Sequence, residues 1–159
     1  MFLRRETLLT IEGGIAVGEP SIVFEPYAVM AQREFVEEII NRRNVRLTGH
    51  DEWHPVAFFW KSDEGEILGG LLGQIWARWL SISTLAVRER FRGRGYGTKL
   101  LARAEQYALE SGCTDAWLST FSFQARPFYE RFGYRVFGTL EGYPKDHSLF
   151  FMTKHLVSP

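Results

Sequence analysis

Cysteine is nearly absent from this chain of 159 residues: Cys113 stands alone, which excludes an intrachain disulfide and leaves the redox compartment weakly constrained. Net charge is missing as well. Nineteen basic residues cancel nineteen acidic ones, so the sequence lacks the electrostatic footprint of a nucleic-acid binder, and a membrane-surface role loses support for the same reason. No apolar run approaches the roughly 18 residues of a transmembrane helix. Arg4 and Arg5 ahead of Leu8 and Leu9 superficially suggest a signal peptide, but Glu6 and Glu12 interrupt the apolar run and no small-residue cleavage site follows. A cytoplasmic protein is expected. Repeats, low-complexity tracts and Pro/Gly/Ser-rich linkers are also missing, so residues 1–159 are expected to form one domain.

What is present is an ordinary apolar fraction of 45% and a high aromatic content of 15%. The aromatic excess is read first as core packing, with an aromatic-walled pocket as the alternative. Residues 7–12 alternate weakly and are expected as a first strand. From Tyr27 to about Arg43, Met30, Phe35, Val36, Ile39 and Ile40 recur at helical spacing beside a charged face. Residues 44–54 are polar and read as a loop. Strands are expected at Val56–Lys61, Ile67–Trp76 and Leu80–Val87, the first two joined by a turn at Ser62–Gly65. Leu100, Leu101, Ala104 and Ala108 form the apolar stripe of a helix over Thr98–Ser111, with Gly112 placed to end it. A strand at Ala116–Thr120, a short helix at Gln124–Arg131 and strands at Arg135–Leu140 and Leu149–His155 complete a mixed α/β pattern.

The most informative stretch runs from Leu85 to Thr98, where a strand enters and a helix leaves a loop bearing Gly93, Gly95 and Gly97. Glycines remove Cβ atoms where backbone must approach a ligand closely. The first N–H groups of the helix can then take phosphate oxygens, aided by the helix dipole, and Arg92 and Arg94 add positive charge. A dinucleotide fingerprint needs G-x-G-x-x-G, and this loop is G-x-G-x-G. A P-loop needs Gly-Lys-Ser/Thr, and here Thr98-Lys99 follows Gly97 in reverse order.

Arg92-Gly93-Arg94-Gly95-Tyr96-Gly97 resembles the (Gln/Arg)-x-x-Gly-x-(Gly/Ala) acetyl-CoA motif of the GNAT superfamily of N-acetyltransferases. Downstream, Gln124-Ala125-Arg126-Pro127-Phe128-Tyr129-Glu130-Arg131-Phe132-Gly133-Tyr134 is similar to that family's A-x-x-(F/L)-Y-x-x-x-G-(F/Y) segment. The resemblance covers residues 56–155 well and residues 1–50 only in broad character. It implies an α/β fold with a mixed, mostly antiparallel sheet, flanking helices and one splayed parallel strand pair, here Ser83–Val87 beside Ala116–Thr120. It implies acetyl-CoA as co-substrate, its pantetheine arm bonded to the backbone of Leu85, Ala86 and Val87. The pyrophosphate would lie among Arg92, Gly93, Arg94, Gly95, Tyr96, Gly97 and Thr98, and Phe128 would flank the cofactor. Tyr129 would stand near the sulfur as general acid for the departing thiolate, and a backbone N–H around Ala86 or Val87 would polarise the thioester carbonyl.

Many relatives place a glutamate on the strand before the glycine loop, but Leu80-Ser81-Ile82-Ser83-Thr84 holds no carboxylate. The general base is therefore open. Ser81 or Ser83 holding a water, and Asp146 or His147 from the loop before the last strand, are the candidates. His50 and His54 match H-x-x-x-H, but Pro55 follows directly and no metal is expected. Cys113 reads as core filler. The acceptor is expected to be a primary amine, more readily a small molecule than a protein. Glu34, Glu37, Glu38, Asp51 and Glu52 are candidates to attract it, and Trp76, Trp79 and Tyr143 to wall its channel. A non-catalytic acetyl-CoA sensor is the alternative function, and a homodimer is plausible from the resemblance.

Overall fold

The computed structural model describes residues 20–51 and 53–156. The expected strand over residues 7–12, and Glu52, lie outside the described residues. The chain divides into two units that part after Arg43. The division falls inside the first helix, α1 (Met30–Thr48). In the first unit Arg42 folds back on Glu38 one turn earlier, at 2.6 Å. In the second unit the last turn of α1 runs through Asn44–Thr48, which the sequence reading took for loop. Gly49 ends it at φ 73°, its N–H bonded to the Val45 carbonyl at 2.8 Å.

The rest of the second unit is a six-stranded sheet in the order β1-β2-β3-β4-β6-β5, with helices α2 (Tyr96–Glu110) and α3 (Arg126–Arg131). The strands are β1 (His54–Lys61), β2 (Ile67–Trp76), β3 (Trp79–Val87), β4 (Asp115–Phe121), β5 (Arg135–Glu141) and β6 (Ser148–His155). All neighbours are antiparallel except β3 and β4, as the fold expectation requires. The core gathers where α2 meets the sheet. Ala104 and Ala108 are fully buried there, and their small side chains let the helix approach Leu71, Leu80, Ala116 and Leu118 closely. At the helix end Gly112 takes φ 81°. Its N–H bonds the Leu109 carbonyl, and the Cys113 N–H bonds that of Ala108, so two otherwise orphaned carbonyls are satisfied. Cys113 fills the core beneath this turn.

One irregularity shapes everything that follows. Thr84 pairs with Leu72, yet Ile82 pairs with Gly73, so Ser83 is an extra residue on β3. The bulge brings the Ser81 carbonyl so close to β2 that a Cβ on Gly73 would lie 2.3 Å from its oxygen. It also switches the parity of β3. Leu80 and Ile82 face the core before it, and Leu85 and Val87 pack toward the core after it. The same point ends the parallel pairing: β3 and β4 are bonded from Trp79↔Asp115 to Ile82↔Leu118 and no further. Beyond Ile82 the two strands part.

Candidate active site

Backbone direction in the opened half of β3 follows from its outer neighbours. The Arg88 N–H donates to the Leu68 carbonyl at 2.9 Å, and the Ala86 carbonyl lies against Gly69, so Ala86 and Arg88 point toward β2. Alternation along a strand then turns the N–H and C=O of Leu85 and Val87 to the opposite edge, into the gap beside β4. There the Val87 carbonyl accepts the Arg92 Nε at 3.1 Å, which pins that arginine at the mouth of the glycine loop. Of the strand backbone expected to meet a ligand, Leu85 and Val87 face the gap and Ala86 does not.

After β3 a short 3₁₀ turn (Glu89–Phe91) leads to Gly93 and Gly95, both with positive φ. Gly95 stands at the N-cap of α2 with φ 81° and offers no side-chain acceptor to the first helical N–H groups. Those donors and the positive end of the helix dipole are left for an anion. Tyr96 is held by stacking on Trp60, with ring centroids 3.4 Å apart. A cleft of about 420 Å³ opens over this loop, lined by Leu85, Val87, Phe91, Arg92, Gly93, Gly95, Tyr96, Gly97, Thr98, Ala125, Phe128, Tyr129 and Arg131. Every expected cofactor residue except Ala86 and Arg94 lines it. The Arg94 guanidinium instead lies over the Phe91 ring, 5.9 Å from its centre.

A second cleft of about 340 Å³ occupies the gap between the parted strands, lined by Ile82, Ser83, Thr84, Leu85, Ala86, Ser119, Thr120, Gln124, Ala125 and Tyr129. Leu85, Ala125 and Tyr129 line both clefts, so the two meet at these residues. Thr120 and Gln124 build the turn that puts Tyr129 there. Gln124 Oε1 accepts the Phe121 N–H at 2.9 Å, and Thr120 Oγ1 accepts the Ala125 N–H at 3.4 Å. Pro127 sits in the first turn of α3, where its missing N–H costs nothing. Tyr129 is 7% exposed, and burial raises the pKa of its phenol, so it stays protonated throughout the physiological range. Its ring packs edge-on against Tyr134, 5.8 Å away.

Sequence reasoning passed over Thr120 and Gln124, whose contribution is turn geometry and carries no motif. It also passed over the bulge, although the apolar alternation slips from Leu80 and Ile82 to Leu85 and Val87 and so marks it. Ser81 and Ser83 donate to the Gln74 and Leu72 carbonyls at 3.3 and 3.1 Å, and only Ser83 lines the second cleft. Trp76 and Trp79 flank the β2–β3 turn, at the opposite end of β3 from the gap and away from Tyr143. His50, Asp51 and His54 line a separate hollow at that end, of about 240 Å³. Among the described residues no three His, Cys, Asp or Glu side chains come together to hold a metal ion. No described helix is long and apolar enough to cross a membrane.

Known proteins resemble this chain in sequence and fold. The model of the acetyltransferase (GNAT) family matches residues 24–134. Blasticidin-S acetyltransferase of Streptomyces morookaense is 39% identical over 95 residues, 59% of this chain and 70% of that protein. An acetyltransferase of Agrobacterium fabrum is 35% identical over 111 residues, 70% of this chain and 81% of its own length. The crystal structure of an acetyltransferase from Bacillus cereus superposes with a TM-score of 0.77 at 33% identity, over 86% of this chain and 98% of that one.

Proposed function

The chain belongs to the acetyltransferase (GNAT) family, enzymes that draw their acetyl group from acetyl-CoA, and on that premise we propose that it acetylates the primary amine of a small molecule, which attacks the thioester directly while both substrates are bound. The proposal takes residues 1–159 as one catalytic domain working in the cytoplasm.

The observation that carries the proposal is the meeting of two clefts at Tyr129. In this reading the glycine-loop cleft receives the nucleotide end of acetyl-CoA, with the α2 N-terminus and Arg92 opposite its phosphates. The pantetheine arm runs along the gap-facing backbone of Leu85 and Val87. The acceptor comes through the second cleft. Attack of the amine on the thioester carbonyl forms the C–N bond, and collapse of the intermediate breaks the C–S bond. The thiolate takes a proton from Tyr129, which burial has kept neutral, and the proton lost by the nitrogen passes through solvent to restore the phenol. A gap-facing N–H on β3, at Leu85 or Val87, would polarise the carbonyl oxygen.

Among the described residues no carboxylate lines either cleft, so in this reading the acceptor arrives neutral or loses its proton to solvent or to His147. An amine of pKa about 10.4 is neutral to only about 0.1% at pH 7.4, a deficit of roughly 4 kcal/mol. The reading therefore favours an amine less basic than lysine. A relative named for acetylating blasticidin S supports a small-molecule acceptor over a protein.

The test is thermal melting with and without acetyl-CoA, beside ATP and NAD, followed by thiol release across a panel of amines. Ligand at 100 times its Kd adds about 2.7 kcal/mol of stability. A rise specific to acetyl-CoA and amine-dependent thiol release are expected. Equal shifts with ATP, or thiol release that no amine accelerates, would overturn the proposal.

A further inference from the structure

Past Leu118, where β3 has left it, the end of β4 and the β5–β6 turn bring together a set of rings that the core does not use. Phe121 stacks on Phe123 with centroids 5.1 Å apart and planes within 6°. The edge of His147 meets Phe123 at 4.9 Å, and Tyr143 meets Phe121 at 5.9 Å. Phe123 and Tyr143 are each 56% exposed and, joined through Phe121, belong to one exposed aromatic cluster.

These rings are held in place. Ser122 donates its N–H to the Ser148 carbonyl at 2.8 Å, and its Oγ accepts the Ser148 N–H and contacts His147 Nδ1, each at 3.2 Å. The turn between β5 and β6 closes on itself through Tyr143 N–H to the His147 carbonyl, 3.0 Å, and His147 N–H to that of Pro144, 2.9 Å. Two loops are thus tied into one rim. The rim borders the second cleft without lining it: Gln124, a wall of that cleft, accepts the Phe121 N–H at 2.9 Å. The Gln124 side chain that borders the cleft also fastens the ring-bearing turn.

We infer that the acceptor carries a flat aromatic or heteroaromatic ring beside its amine, and that the rim of Phe121, Phe123, Tyr143 and His147 stacks that ring while the amine reaches into the second cleft. The inference rests on the acetyltransferase reading and narrows its substrate class. Aliphatic side chains would serve an aliphatic acceptor equally well; what aromatic rings add is stacking and attraction for positive charge.

The test pairs 2-phenylethylamine with 2-cyclohexylethylamine, amines of similar size of which only one is flat. Binding to the full chain with CoA present is measured by calorimetry, and transfer by thiol release. The wild type is expected to favour the phenyl compound by roughly fivefold or more in Kd and kcat/KM, each taken per neutral amine to remove the difference in basicity. In Phe123→Leu/Tyr143→Leu, which keeps the rim apolar, the ratio falls to about one while the thermal shift from acetyl-CoA keeps its size. Absence of a preference in the wild type, or a preference that survives the double substitution, overturns the inference. So does a change of oligomeric state in the variant with amine binding intact, which would make the rim a subunit contact. Failure of acetyl-CoA to stabilise the wild type counts against the acetyltransferase reading instead, and calorimetry with the amines alone still judges the rim.

Discussion

The Lys154 ammonium on β6 lies 2.6 Å from Glu105 Oε2 on α2, with both side chains largely withdrawn from solvent. The pair sits beside Tyr134, whose ring is 5.7 Å from the lysine nitrogen and 5.8 Å from the ring of Tyr129. Burial first, and the Glu105 carboxylate second, push the Tyr134 pKa far above that of a free phenol. Removing Lys154 leaves Glu105 charged with no cation beside it. Lys154→Ala is expected to cost roughly 2–3 kcal/mol by urea unfolding, while Glu105→Leu/Lys154→Met recovers most of it. If the double variant is as unstable as the single one, the pair is needed for more than mutual neutralisation.

Two glycines separate folding from binding. A Cβ at Gly73 would press on the Ser81 backbone at 2.3 Å and undo the bulge that parts β3 from β4, whereas at Gly95 a Cβ meets nothing in the protein. Gly73→Ala is expected to lose about 3 kcal/mol or more of stability. Gly95→Ala loses about 1–2 kcal/mol for its left-handed backbone. The order reverses for ligand. Gly95 lines the first cleft, and its Ala variant should raise the acetyl-CoA Kd about tenfold, roughly 1.4 kcal/mol. Titration calorimetry beside unfolding curves checks both orders.

Much of this architecture could be read in the residues, for reasons that also explain the misses. Strand alternation and the Leu100–Ala108 stripe reflect burial directly, and they placed the sheet and α2 to within a few residues. Asn44–Thr48 was missed because polar composition reports exposure and says little about backbone conformation; Gly49 was the true stop. The glycine loop stood out because close backbone approach needs glycine, and Tyr129 because it falls in the motif shared with the family; the structure sets both at the clefts. Thr120 and Gln124 did not stand out, since many polar side chains can bridge a turn. Trp76 and Trp79 were grouped with Tyr143 on aromatic character alone, while the position of the β2–β3 turn sends them to the other end of β3.

Burial raises the Cys113 thiol above its ordinary range, an effect Arg78 only partly offsets. Its thiolate is therefore scarce in the folded protein. Labelling by a thiol reagent at pH 8 is expected to be slow in buffer, paced by unfolding, and fast in urea. Rapid native labelling would show that the core beneath Gly112 opens far more readily than its packing implies.

With no carboxylate among the described residues that line either cleft, the pH dependence of transfer should belong to the acceptor. The value of kcat/KM is expected to rise about tenfold per pH unit until the amine's own pKa, so that an amine of pKa about 8 levels off some two units before one of about 10. A midpoint that stays fixed across amines would instead identify an ionising group of the protein as the base.

Tyr129→Phe tests the proposed proton donor to the leaving thiolate. The ring keeps its packing against Tyr134 and Phe128, so folding and the thermal shift from acetyl-CoA should be unchanged. The kcat is expected to fall by about 10²–10³-fold, within the range of a lost general acid, with little change in the KM for acetyl-CoA. The loss should be the same at every pH up to about 9.5, because burial holds the phenol protonated beyond that point. The stability sign follows from the same shift. With the folded pKa raised above the unfolded value of about 10, the burial of Tyr129 contributes fully below pH 10 and is lost as the pH climbs through the folded value. Alkaline unfolding of the wild type should therefore be milder in the Phe variant. A kcat that survives the substitution would move the acid to solvent and leave Tyr129 as the wall between the two clefts.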